Sequence, residues 1–279
     1  MTTQNNALFE PVQLIDTHCH INMLVKKTFD TVLTAEDYKN AQEIIEQARE
    51  KQVSKIINVG TSYIESMNSI YLAQKFAGVY ATVGIHPNDL TDTWQQELKE
   101  LEQLIAQPEN KIVGIGETGI DTHYPDYNLQ KQKDAFRVQI ELALKYNLAL
   151  VVHTRDAPEE TLRSLEEFKN SNLRGTIHCF SNDLFFAQEA IAMGFVIGIG
   201  GTLTYPKNNI LRTVVTRIKL EHIILETDAP YLPVQKMRGK QNHPANIYDI
   251  AQYLADLRTN PFDLIARTTT QTAQKLFNI

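Results

Sequence analysis

The chain has 279 residues, of which 43% are hydrophobic and 22% charged, and it contains only 12 Gly and 10 Pro. This composition excludes disordered, collagen-like and low-complexity classes and is that of an ordinary globular protein. The net charge of −6 at pH 7, taken alone, argues against an extensive nucleic-acid-binding surface, because such surfaces usually carry a basic balance.

Short apolar runs that end in polar or glycine residues recur along the whole chain. Continuous apolar runs of this length are typical of parallel strands that are buried on both faces. They predict eight strands, at residues 12–20, 55–60, 79–87, 111–119, 148–155, 174–180, 195–201 and 222–230.

Amphipathic segments separate these strands and predict crossover helices, at residues 35–51, 129–146 and 157–170. In the second segment Phe136, Ile140 and Leu144 recur at helical spacing and form one apolar stripe. A long loop at 231–246 follows the eighth strand, and two further helices are predicted at 247–258 and 261–277.

The predicted strand ends lie about 30 residues apart, which is the length of a β-α unit. Eight such units predict an α/β fold, a closed (β/α)8 TIM barrel, as a single domain over residues 1–279. Its active site is then expected at the C-terminal rim of the strands. An open doubly wound sheet is the alternative, because periodicity alone does not show closure.

Two cysteines, Cys19 and Cys179, are too few for a disulfide framework, so a reducing, cytoplasmic location is expected. The N-terminal stretch MTTQNNALFEPVQL has neither the apolar core nor the cleavage site of a signal peptide. No segment reaches the roughly 20 apolar residues that span a bilayer, so no membrane association is expected. Nothing in the sequence indicates an obligate protein partner.

Metal-binding and acid–base side chains recur where the predicted strands end, and in a parallel barrel these ends converge on one rim. The histidines are His18, His20, His86, His153 and His178, and the carboxylates are Asp16, Glu117, Glu226 and Asp228. Because alternate strand residues point to opposite faces, His18 and His20 share a face. The same alternation predicts that Cys19 and Cys179 point away from the histidines and are small buried core residues.

A subset of these side chains forms a candidate metal site: His18, His20, Glu117, His153, His178 and Asp228. Nitrogen and oxygen donors without thiolate suit Zn, Mn, Fe or Mg. Six donors are too many for one tetrahedral ion and suit two bridged ions, with Glu117 as the bridging carboxylate. A pair of divalent ions acidifies a water and neutralises negative charge on a phosphoryl group. The predicted cofactor is therefore two divalent metal ions, Mg, Mn or Zn.

At these residues the sequence resembles the TatD family of metal-dependent deoxyribonucleases, within the amidohydrolase-like superfamily. The matching stretches are DTHCH at 16–20, VGIHP at 83–87, GIGETGID at 114–121, VVHTRDA at 151–157, IHCFS at 177–181, LETDAPYL at 225–232 and RGKQNHPA at 238–245. The resemblance implies a TIM barrel, a two-metal site and hydrolysis of DNA phosphodiesters. It also implies 3′-to-5′ exonuclease action on single-stranded ends.

Carried over position by position, the family's metal ligands fall on the same six residues. Asp228 would also be the general base toward the attacking water, with Glu117 as the other catalytic residue. His86 matches the family's phosphate-facing histidine, and Arg155 and Arg238 lie within matched motifs and are expected to bind substrate. Lys207 and Lys240 are further candidates for phosphate contact, and Tyr124, Tyr205 and Tyr231 are candidates for stacking on unpaired bases.

Segment 22–35 is longer than the family usually has between its paired histidines and the first helix. It is expected to form a flap beside the site, which bears on the range of substrates.

Two other functional classes stay open. A metal-dependent hydrolase of a small-molecule or aminoacyl ester or amide would use the same scaffold. Glu117 favours the nuclease branch, because many amidohydrolase relatives carry a carbamylated lysine on the fourth strand. A non-catalytic binding protein would be indicated by a missing ligand, and none is missing.

The acidic net charge is compatible with DNA as the partner if metals are bound. Two divalent ions beside Glu117 and Asp228 leave a local charge of about +2. The overall charge then favours few phosphate contacts and a short single-stranded end.

Overall fold

The computed structural model describes residues 12–26 and 28–279. Its eight strands are β1 (Leu14–Cys19), β2 (Val53–Val59), β3 (Val79–Val83), β4 (Ile112–Asp121), β5 (Ala149–Arg155), β6 (Gly175–Ile177), β7 (Phe195–Ile199) and β8 (Ile223–Leu225). All eight predicted strands are confirmed, although β3, β6 and β8 end three to five residues earlier than predicted. The stretch used to judge a signal peptide lies, up to residue 11, outside the described residues.

The strands lie side by side in sequence order, and every neighbouring pair is parallel. The sheet closes between β8 and β1, where Cys19 and Ala229 form a parallel bridge. The backbone N–H of His20 donates to the Ala229 carbonyl, and that of Asp228 donates to the His18 carbonyl, both at 2.8 Å. This order excludes a doubly wound sheet, in which the strand order reverses at a switch point. The (β/α)8 barrel is confirmed.

A buried carboxylate joins the two strands that close the barrel. Asp16 accepts a hydrogen bond from the backbone N–H of Thr227 at 2.9 Å and another from its hydroxyl at 2.6 Å. Burial outweighs these hydrogen bonds and raises the pKa of Asp16 to about 8. The contact fixes the register of β1 against β8 immediately before His18 and Asp228.

Helices follow the strands around the outside of the barrel. They are α1 (Ile21–Val25), α2 (Ala35–Glu50), α3 (Tyr63–Lys75), α4 (Trp94–Ile105), α5 (Leu129–Tyr146), α6 (Pro158–Glu166), α7 (Leu184–Ala192), α8 (Asn209–Arg217), α9 (Ile247–Arg258) and α10 (Phe262–Phe277). The predicted bounds of α5 and α9 agree with the structure to the residue. None of these described helices is long and apolar enough to cross a membrane.

Local capping explains where several helices begin. At α2 the Thr34 hydroxyl accepts from the Asp37 backbone N–H, and the Asp37 carboxylate accepts from the Thr34 backbone N–H. This reciprocal arrangement satisfies two N–H groups that the first helical turn leaves unpaired. At α5 the Asn128 side chain accepts from the Lys131 backbone N–H in the same way.

Two apolar layers position the site. The stripe predicted on α5 packs against the outside of the barrel, with Phe136 and Ile140 fully buried. A separate cluster of strand residues, which includes Val151 on β5, packs against Phe277 at the end of α10. His153 is two residues beyond Val151 and shares its strand face. The polar site therefore lies next to this apolar cluster, at the C-terminal ends of the strands.

Candidate metal centre

The structure brings the six predicted ligands together at the C-terminal rim, with Glu117 in the middle. Glu117 Oε1 lies 2.9 Å from His153 Nδ1 and 2.9 Å from His178 Nε2. Its other oxygen, Oε2, lies 3.3 Å from His18 Nε2 and 3.7 Å from His20 Nε2. Each carboxylate oxygen thus faces a different pair of histidines.

Asp228 completes the side of the centre formed by β1. Its Oδ1 lies 3.5 Å from His20 Nε2 and 3.7 Å from His18 Nε2. The backbone at Asp228 has a φ of 57°, in the left-handed region that Asp and Asn tolerate better than most residues. This turn directs the carboxylate of Asp228 into the barrel rim just after β8 ends.

The donor set fits a divalent cation. His20 Nδ1 lies 3.0 Å from the Val59 carbonyl oxygen, which can only accept a hydrogen bond. The ring proton is therefore on Nδ1, and Nε2 has a free lone pair for a metal ion. That Nε2 lies 3.1 Å from His18 Nε2, among the oxygens of Glu117 and Asp228. Two triads here are compact enough to hold an ion: His18, His20 and Asp228, and His18, Glu117 and His178. Nitrogen and oxygen donors without thiolate suit Mg, Mn or Zn.

The electrostatics of the centre favour an ionised carboxylate at Glu117. Burial would raise the pKa of Glu117, but the surrounding histidines outweigh burial and hold it well below its usual range. The same interaction overcomes the burial of His178 and raises the pKa of its ring well above the usual value. A cation at this position would replace the second proton that His178 otherwise holds.

Sequence analysis did not assign a role to Asp121, which orients one of the histidines. Asp121 Oδ2 lies 3.0 Å from His153 Nε2, and the carboxylate also accepts from Asn88 Nδ2 and from the His123 backbone N–H, both at 2.9 Å. These hydrogen bonds outweigh burial and lower the pKa of Asp121 to about 2. An ionised acceptor holds the ring proton on His153 Nε2 and leaves Nδ1 free to face Glu117, a common support for metal-binding histidines. The sequence feature that could have identified Asp121 is its position on β4, four residues after Glu117.

The Asp121→Asn variant is expected to weaken metal binding and to lower activity about 10- to 100-fold. The new amide would donate to His153 Nε2 and move the ring proton to Nδ1, where it would block the side facing Glu117. Titration calorimetry with Mn²⁺ measures the affinity. Asn88→Ala is the control, because it removes another partner of Asp121 and leaves the His153 contact in place. Wild-type affinity in Asp121→Asn would contradict this role.

His86 lies beside the centre, but its Nε2 presents an N–H donor and not the lone pair that a metal ion would need. A third triad, of His86, Asp121 and His153, is also compact enough to hold an ion. However, His86 Nδ1 accepts from the Asn88 backbone N–H at 3.1 Å, so the proton sits on Nε2, 3.7 Å from Glu117 Oε1. Burial, helped by His153, lowers the pKa of His86 to about 3, so the ring is neutral. This state suits a hydrogen bond to an anionic oxygen.

A cavity of about 1310 Å³ opens above the centre, and both predicted substrate-binding arginines line it. The Arg155 guanidinium lies 5.6 Å from the Tyr124 ring centre, and that of Arg238 lies 4.7 Å from the Tyr205 ring centre. Within residues 12–26 and 28–279, neither arginine forms an ion pair with a carboxylate. Lys207 also lines the cavity, whereas Lys240 is not part of the lining.

The prediction for Cys179 was wrong, whereas the one for Cys19 is confirmed. Cys19 is fully buried, but Cys179 is partly exposed and lines the cavity. Strand alternation does not reach Cys179, because β6 ends at Ile177 and Cys179 turns with a φ of 45°. Its backbone N–H donates to the carboxylate of Glu226, which also lies near His178.

Comparisons with known proteins find relatives over nearly the whole chain. The family model described as "TatD related DNase" matches residues 15–278. YabD of Bacillus subtilis, an uncharacterized metal-dependent hydrolase, is 33% identical over 95% of this chain and 99% of its own length. YcfH of Escherichia coli, with the same description, is 30% identical over 95% of this chain and 96% of its own. The crystal structure of YJJV, a TatD homologue from Escherichia coli, has a TM-score of 0.85 at 28% identity, over 96% of this chain and 99% of that one.

The barrel, the histidine and carboxylate centre and these relatives define a metal-dependent hydrolase. Within that class, the chain belongs to the TatD DNase family.

Proposed function

We propose that the protein hydrolyses DNA phosphodiesters at a two-metal centre and removes nucleotides from single-stranded 3′ ends. The position of Glu117 carries this proposal, since its two oxygens face different histidine pairs. Glu117 would bridge the two ions. His18, His20 and Asp228 would hold one ion, and His153 and His178 the other.

Bound divalent ions would lower the pKa of a water and neutralise charge on the phosphoryl oxygens. The protein's own groups supply the proton transfers. Hydrogen bonding and charge from His20 and neighbouring histidines outweigh burial and lower the pKa of Asp228, so its carboxylate is ionised and accepts the proton of the attacking water. His86 Nε2–H donates to a non-bridging phosphate oxygen.

The charge distribution supports an anionic substrate. Arg155 and Arg238 line the cavity in a protein whose net charge is −6. Each is held beside a tyrosine ring, and a guanidinium can bind a phosphate through two parallel hydrogen bonds. Because only a few cationic side chains line the cavity, it is better suited to bind the end of a short single strand than an extended stretch of duplex. The description "TatD related DNase" supports DNA as that substrate.

The two unpaired cysteines support a cytoplasmic location.

Incubation with a 5′-labelled single-stranded oligonucleotide tests this function. With Mg²⁺ or Mn²⁺ we expect a ladder of products shortened from the 3′ end, and EDTA should abolish it. The same oligonucleotide blocked at its 3′ end is the control and should persist. Internal cleavage of the blocked strand would contradict exonuclease action. Wild-type protein that leaves DNA intact yet hydrolyses aminoacyl esters would favour the alternative hydrolase.

A further inference from the structure

The loop between α1 and α2 passes beside the cavity and is held by buried charged groups. Residues 28–34 of this loop are called the arm here. Glu65 on α3 is fully buried and accepts from the Asp30 backbone N–H at 2.6 Å. It also pairs with Lys26 Nζ at 2.5 Å, and the Lys26 side chain is only 6% exposed. The Ser62 hydroxyl donates to the Asp30 carboxylate at 2.5 Å. The middle of the arm is therefore fixed to the start of α3.

A second set of contacts fixes the end of the arm. Asn68 on α3 accepts from the Leu33 backbone N–H at 3.2 Å and donates to the Thr31 carbonyl at 2.9 Å. Leu33 itself is buried in the apolar core. Phe29, immediately before Asp30, is 47% exposed and lines the cavity. The arm thus presents an aromatic ring to the cavity beside backbone that is hydrogen-bonded at Asp30, Thr31 and Leu33.

A second exposed ring lies on the same side of the barrel, because β8 and β1 are neighbours. Tyr231 follows β8, is 50% exposed and also lines the cavity. Its hydroxyl lies 3.2 Å from Met23 Sδ on α1, and its ring centre lies 6.0 Å from that of His20. Met23, Phe29 and Tyr231 together are called the aromatic wall here. Arg155 is the last residue of β5, on the opposite side of the barrel rim.

We propose that the aromatic wall is a binding subsite for unpaired nucleobases of the strand whose phosphodiester lies at the metal centre. The inference rests on the proposed function and names the part of the substrate that this side of the cavity recognises. Phe29 and Tyr231 supply ring faces on which any purine or pyrimidine can stack, without reading the base sequence. Bases within a duplex are already stacked on their neighbours through both ring faces, so the subsite favours single-stranded ends. Held rings lose little conformational entropy when they bind, which favours a fixed arm.

A pair of substrates separates base stacking from phosphate chemistry. One is a 5′-labelled oligothymidylate, and the other is the same strand with tetrahydrofuran in place of the last two nucleosides. In Mn²⁺ the wild type should prefer the intact strand. Phe29→Ala should lose about ten-fold in kcat/KM on the intact strand, mainly through KM, and much less on the abasic strand. Phe29→Trp should restore the preference.

Val32→Ala is the matched control, because Val32 lies on the arm with 60% exposure and is not among the residues that line the cavity. It should behave as wild type on both strands. Phe29→Leu keeps apolar bulk without a ring, so it should show the same base-dependent loss and serves if Phe29→Ala does not fold. An equal loss on both strands, or no loss at all, would overturn the subsite. A wild type that cleaves neither strand would instead overturn the proposed nuclease function.

Discussion

Replacing Glu117 by Gln is expected to lower nuclease activity by at least about 10³-fold, equivalent to about 4 kcal/mol of transition-state stabilisation. The amide keeps the size of the side chain but removes the charge, and its NH₂ group cannot bind a cation. Glu117 is 4% exposed and faces different histidines with its two oxygens, so the substitution affects both sides of the centre. Steady-state rates on a labelled single strand measure the loss.

Thermal unfolding provides a second measurement on the same variant. A ligand that binds only the folded state stabilises it by about 2.7 kcal/mol at one hundred times its Kd. Saturating Mn²⁺ should therefore raise the Tm of the wild type, and most of this shift should be absent in Glu117→Gln. Glu43→Gln, on the exposed face of α2, is the matched control and should keep both the rate and the shift. Full nuclease activity in Glu117→Gln would point to a contaminating enzyme or another site.

Asp228→Asn is expected to separate proton transfer from metal binding. The carbonyl oxygen of the new amide can still approach a cation, but it cannot accept the proton of the attacking water. Activity should therefore fall by about 10²- to 10⁴-fold. Most of the Mn²⁺-dependent rise in Tm should remain, in contrast to Glu117→Gln.

The Asp228→Asn substitution preserves the backbone conformation as well as the shape of the side chain. Asp228 has a φ of 57°, which Asn adopts more readily than Ala does. Asp228→Ala should therefore lower the Tm without metal, whereas Asp228→Asn should not. A rate for Asp228→Asn within a few-fold of wild type would exclude Asp228 as the general base, and unfolding in both variants would assign it a mainly structural role.

The barrel and the positions of the six candidate ligands could be predicted from sequence because each depends on local information. An apolar run shows where a parallel strand ends, and strand ends meet at one rim whatever the side chains are. His18, His20 and Glu117 could therefore be placed together although Glu117 is far from the histidines in sequence. The apolar stripe on α5 shows its period clearly enough that both ends of the helix were predicted.

Other features depend on contacts between elements and were not predictable. Asp121 orients His153 because of the register between β4 and β5, which pairs Gly119 with His153. That register is set by packing around the whole barrel. The exposure of Phe29 depends on Glu65, whose charge is buried by α3 and the arm together. Cys179 departs from strand alternation because the backbone turns immediately after β6.

Anomalous scattering from crystals soaked in Mn²⁺ tests the central claim, a two-metal centre bridged by Glu117, most directly. Two peaks are expected in each chain, one beside His18, His20 and Asp228 and the other beside His153 and His178, with Glu117 between them. The Glu117→Gln crystal is the matched control and should lose at least one of them. A single peak at saturating Mn²⁺, or a peak enclosed by His86, Asp121 and His153 in place of these two, would contradict the account.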